Sequence, residues 1–115
     1  MADLLDPSEL PEGFAYPREF LRVMELGLLD LDPWWIVNGK LLHVLNASIQ
    51  RLYPQRKLVL FAKRQDNDDV ACFDLDSGRV AIVHAFASPG WERRAEFSDF
   101  RAWLHQAIDD LIAFE

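Results

Sequence analysis

The stretch that most narrows the possible folds runs from Leu58 to Phe86. It opens on Leu58-Val59-Leu60-Phe61-Ala62, a continuous apolar run bounded by Arg56-Lys57 and Lys63-Arg64. Five apolar residues between charged flanks have the length of a central strand covered on both faces. Val70 to Leu75 and Arg79 to Phe86 read as two further strands. Between them, Asp76-Ser77-Gly78 is hairpin chemistry, because Gly78 can take a positive φ. Three consecutive strands with short connections predict an antiparallel meander.

The flanking segments carry a helical period. Pro17 fits the first turn of a helix, where its missing N–H costs little, and Phe20, Leu21, Met24 and Leu28 follow at helical spacing. The expected helix runs from about Pro17 to Leu26, with Gly27 as its stop. Asp30-Leu31-Asp32-Pro33 breaks the pattern, and Trp34-Trp35-Ile36-Val37 reads as a short strand with one indole inward and one outward. Leu41, Leu42, Leu45, Ile49 and Leu52 predict an amphipathic helix from Lys40 to Tyr53, ending before Pro54. Ser88-Pro89-Gly90 reads as a loop. Phe100, Trp103, Leu104, Ala107, Ile108 and Leu111 form the stripe of a last helix, with Ser98 as its expected N-cap and Asp99 in its first turn. Residues 1–16, rich in turn formers, are expected to be irregular apart from a short helical turn near Pro7 to Leu10. At 115 residues the chain predicts one α+β domain over 1–115. Its small antiparallel sheet is a three-strand meander plus one short extra strand, packed with about three helices.

Composition then limits function. Twelve basic against nineteen acidic residues give a net charge of −7. Such a surface repels nucleic-acid phosphates and anionic membranes, so neither is an expected partner, whereas a basic protein is. The same charge also serves solubility alone. The single cysteine, Cys72, excludes an intrachain disulfide and suits a reducing compartment. With neither the basic and apolar regions of a signal peptide at its start nor a run long enough to span a bilayer, the chain is expected to be cytoplasmic.

Chemistry concentrates in Gln65-Asp66-Asn67-Asp68-Asp69, an acidic loop at a strand's mouth. It reads as a metal site, a charged binding surface or a solubilising turn. A calcium loop starting at Asp66 would need oxygen ligands at Val70 and a glycine at Ala71, and one starting at Asp74 fails at Gly78 and Ala85. His43, His84, His105 and Cys72 lack zinc spacing, so no metal or other cofactor is expected. Paired carboxylates can hydrolyse glycosides across a cleft, which leaves Asp66, Asp68 and Asp69 open as a small hydrolase cluster. Cys72, within a strand, reads as a buried apolar residue and His84 as a hydrogen-bonded structural one. No phosphate-cradling glycine loop is present. For binding, Asp66, Asp68 and Asp69 are candidate contacts, joined by Trp91, which equally fits a plug at the edge of the core. The outward indole of Trp34-Trp35 is a further candidate contact, and Trp103 falls on a core stripe.

Three runs, taken in order, resemble the central strands of the SUKH superfamily: Leu58 to Ala62, Asp68 to Leu75 and Gly78 to His84. That group includes the fungal Smi/Knr cell-wall regulators and many small bacterial proteins. Phe97 to Leu104 is similar to the group's entry into its last helix, and the likeness covers roughly residues 34–114. The resemblance implies an α+β fold and a protein-binding role. In many bacterial members that role is immunity against a toxin, often a nuclease, and no shared catalytic residues are carried over. The expectation is therefore a non-enzymatic binding module of immunity type. A small hydrolase and a housekeeping regulatory or scaffold domain stand as the alternatives.

Overall fold

The computed structural model describes residues 4–84 and 95–114. Three helices, α1 (Arg18–Glu25), α2 (Gly39–Leu52) and α3 (Phe100–Ala113), accompany six strands. These are β1 (Asp30–Leu31), β2 (Trp34–Ile36), β3 (Leu58–Arg64), β4 (Asp69–Asp74), β5 (Arg79–His84) and β6 (Ala95–Phe97). All pair antiparallel in sequence order, so the sheet is one continuous meander.

The α+β class and the central three strands agree with the sequence reading, and the strand count is corrected from four to six. Asp30-Leu31 breaks the helical pattern in the sequence, yet it pairs with Trp34-Trp35. Ala95–Phe97 pairs with Val80 to Ile82. Two- and three-residue strands at a sheet's edges carry too few positions to show a period of two. The expected end of β5, Ala85-Phe86, and the Ser88-Pro89-Gly90 loop lie outside the described residues.

The α1 and α3 helices meet the sheet through aromatic rings. Phe20 of α1 stands edge-on to Phe61, Phe73 and Phe100, with centroids 5.8, 5.4 and 5.4 Å away. Phe61 stacks on Phe73 at 4.4 Å and meets Trp103 edge-on at 4.8 Å. Offset and edge-to-face pairs of this kind add to simple area burial. The register slips between Leu60 and Ala62, where Phe61 is the extra residue opposite β4. Phe14 and Tyr16 join the same cluster, so the stretch expected to be irregular is packed on the core. Its short helical turn, Pro7–Glu9, falls where one was expected.

The α2 helix does something different. β2 pairs with β3 from Ala62 to Arg64, and the Val37 N–H adds a bond to the Phe61 carbonyl at 2.9 Å, leaving the outer backbone groups of Leu58 and Leu60 without a strand among the described residues. There Asn46 Oδ1 accepts the Leu60 N–H at 3.1 Å, and Gln50 Nε2 donates to the Leu58 carbonyl. Two side chains from successive turns thus stand in for a missing strand. From the end of the helix, the Tyr53 hydroxyl donates to the His84 carbonyl at 2.7 Å, tying α2 to β5.

Turn and cap chemistry complete the frame. Gly78 sits at φ 73° in the β4–β5 hairpin, as its sequence context requires. The N-cap of α3 is Asp99 rather than Ser98: its Oδ1 accepts the Ala102 N–H at 2.9 Å. Either residue type caps well, and the one whose oxygen reaches the third helical N–H takes the position.

Candidate functional site

The three loop aspartates occupy three different environments. Asp66 is exposed and held by a two-pronged ion pair, its oxygens accepting from Arg64 Nε and Nη2 at 2.8 and 2.9 Å. That hydrogen bonding lowers the Asp66 carboxyl below its usual range and raises the Arg64 guanidinium. Asp68 is half-buried. Asp69 is only 4% exposed and begins β4, opposite His84 of β5. Strand pairing draws Asp69 inward while its neighbours stay on the loop, so of the three expected contacts it is the buried one. Asn67 Oδ1 accepts the Asp69 N–H at 2.8 Å, a local turn that starts the strand. Trp91 lies outside the described residues.

Arg64 also organises the inner side of β2. Its guanidinium lies 5.5 Å from the Trp34 ring centroid and 3.5 Å from Asp110 of α3. Asp110 Oδ2 accepts the Trp34 Nε1–H at 3.1 Å, and its Oδ1 accepts from Gln106. Trp34 is buried, 4% exposed, and packs edge-on against Trp103. One cation, one indole and two carboxylates close this set.

The outer side of β2 presents Trp35, 42% exposed. Alternation along a strand sends Trp34 and Trp35 to opposite faces, as expected from the sequence. Trp35 borders a cleft of about 430 Å³ whose apolar lining comes from Leu29, Ile36, Val37 and Leu41. Asp30, Asp32, Asn38 and Gln65 supply its polar groups. The Gln65 N–H donates to the Pro33 carbonyl at 2.8 Å, which fastens the acidic loop to the β1–β2 turn. The loop and the cleft are thus neighbours on one end of the molecule. The sequence reading put one indole of the Trp34-Trp35 pair outward without saying which, and it missed Asp30 and Asp32. The available signal was two aspartates spaced around one residue, set off from the Trp-Trp pair by Pro33.

Cys72 is fully buried in β4, and burial pushes its thiol pKa well above the ordinary value. Among the described residues, no group of three or more His, Cys, Asp and Glu side chains is placed to hold a metal ion. No described helix is long and apolar enough to cross a membrane. His43, on α2, contacts both Glu9 oxygens at 2.8 and 2.9 Å, which clamps the N-terminal turn to that helix. No protein-family model, curated protein or solved structure matches this chain.

Proposed function

We propose that this chain is a non-enzymatic protein-binding module of the SUKH immunity type. On this reading it acts in the cytoplasm and neutralises a basic toxin domain such as a nuclease. One observation carries the reading: an exposed tryptophan lines an apolar cleft with an acidic rim, on a chain of net charge −7. Indole anchors supply contact area at low entropic cost, and a negative rim steers a basic partner into register. Asp66 and Asp68 follow Gln65, which itself lines the cleft. Burial of Asp69 and pairing of Asp66 with Arg64 favour binding over the hydrolase alternative, because they leave the loop carboxylates in unlike environments, with Asp66 already held by a cation.

The test is capture of the native partner by the tagged full chain, followed by association kinetics on the purified pair. A basic protein in a fixed stoichiometry is expected. Its association should slow with added salt and with Asp68→Asn. If that partner is toxic to cells, co-expression of this chain should relieve the toxicity. A bound partner without toxicity would replace the immunity role with a regulatory or scaffold one. A measured turnover abolished by alanine at Asp66 or Asp68 would replace binding with hydrolysis.

A further inference from the structure

The two tryptophans of β2 are not equally provided for. Trp34 has a guanidinium, Arg64, 5.5 Å from its ring centroid, and that cation is met by Asp66 at 2.8 Å and Asp110 at 3.5 Å. Trp35, on the opposite face, also has two carboxylates at hand. Asp30 lies directly across the β1–β2 ladder from it, and Asp32 lines the same cleft. Cross-strand neighbours share a face with their side chains a few ångströms apart. Neither Asp30 nor Asp32 forms an ion pair among the described residues, their one link being the Asp32 N–H donated to Asp30 Oδ1 at 3.2 Å. Lys63, across the other ladder from Trp35, does not line the cleft, and its ammonium donates to the Arg64 carbonyl at 3.2 Å. The outer set thus repeats the inner one, with no cation among the residues that line its cleft.

We propose that the cleft beside Trp35 receives an arginine side chain from a basic segment of the protein partner. Its guanidinium would lie on the Trp35 indole, its N–H groups on Asp30 and Asp32, and its methylenes against Leu41 and Val37. This proposal rests on the binding-module reading and names the chemistry of its central contact. Arginine is selected over lysine because a planar guanidinium stacks on an aromatic face while its edge serves two carboxylates at once. An ammonium is more strongly hydrated and has no such edge. A purely apolar occupant would leave both carboxylates without a counter-charge at the mouth of the cleft.

The experiment uses the full chain and three short capped peptides that differ at one position: arginine, lysine or citrulline. Citrulline keeps the arginine shape without the charge. Amide and indole NMR shifts are followed through each titration. The arginine peptide should move the Trp35 indole signal and the Leu41 and Gln65 amides saturably, with a Kd on the order of 1 mM. The lysine peptide should bind several-fold more weakly and citrulline at least ~10-fold more weakly. Asp30→Asn keeps the acceptor for the Asp32 N–H, and together with Asp32→Asn it should weaken arginine binding by ~10-fold or more. Trp35→Ala should do the same, with an otherwise unchanged spectrum reporting that the fold is retained. Equal binding of citrulline overturns the proposal, as does the absence of saturable shifts at ~10 mM peptide. Unaltered capture of the native partner by Trp35→Ala would also overturn it, while leaving the binding-module reading in place. Peptide binding at Trp35 without any protein partner would do the reverse.

Discussion

Replacing Asn46 with alanine tests how β3 is sealed where β2 ends. Asn46 is 2% exposed and its Oδ1 is the acceptor for the Leu60 N–H, which no strand reaches on that side. Alanine removes the acceptor and leaves a buried donor unsatisfied, a loss of ~1–3 kcal/mol. Against this, alanine is the better helix former by about 0.7 kcal/mol at an interior position of α2. The net destabilisation is then ~0.3–2.3 kcal/mol. At about 4 °C per kcal/mol for a chain of 115 residues, that lowers Tm by roughly 1–10 °C. Urea unfolding monitored by circular dichroism measures the free energy, and hydrogen exchange at the Leu60 amide reports the bond itself. Val44→Ala is the control: on the same helix but 52% exposed, it should change stability by less than ~0.5 kcal/mol. An Asn46→Ala protein as stable as the wild type, with Leu60 exchange still slow, would refute the idea that a side chain completes this edge.

Other consequences follow from single contacts. Phe61→Ala empties the centre of the aromatic cluster, where Phe20, Phe73, Phe100 and Trp103 meet, and should cost ~3–5 kcal/mol in the same urea assay. Gly78→Ala meets no atom within 4 Å of the added carbon, so its cost is conformational only, ~1 kcal/mol for a left-handed alanine. The His43 hydrogen bond holds the Glu9 carboxyl below its usual range. A carboxyl whose folded pKa is depressed contributes stability above its unfolded value and loses it as pH falls through the folded one. Carbon NMR should find Glu9 titrating below the ordinary carboxylate range, and back in that range in His43→Ala. Cys72 should resist alkylation in the native protein and react once urea unfolds it, since burial removes both access and thiolate.

Elements with a period were legible in the sequence, and those held by local accident were not. The apolar stripe of α3 and the uninterrupted run of β3 each repeat their signal over several residues, so the expected spans and observed ones differ by only one or two positions. Asp30-Leu31 and Ala95-Glu96-Phe97 offer no repetition, and they become strands only because β2 and β5 supply partners. At the site, alternation was enough to put the two indoles of Trp34-Trp35 on opposite faces. It could not say that Asp69 is drawn into the β4 ladder, because a loop's end is fixed by pairing across to His84 rather than by its own composition. Asn46 did leave a trace: with Leu42 and Ile49 it falls on the buried stripe of α2, and a polar residue there implies a specific partner.

That arrangement on α2 has a bearing on the far end of the helix. Asn46 and Gln50 act as pegs that fix its height and rotation against β3, while Trp35 hangs from the same strand through its pairing with Lys63. Leu41 and Trp35, the two jaws of the cleft, are thereby bolted to one beam. Their spacing is set before any partner arrives, so a snug guest meets a mould already cast, and loosening a peg two turns away would blunt its grip without touching it.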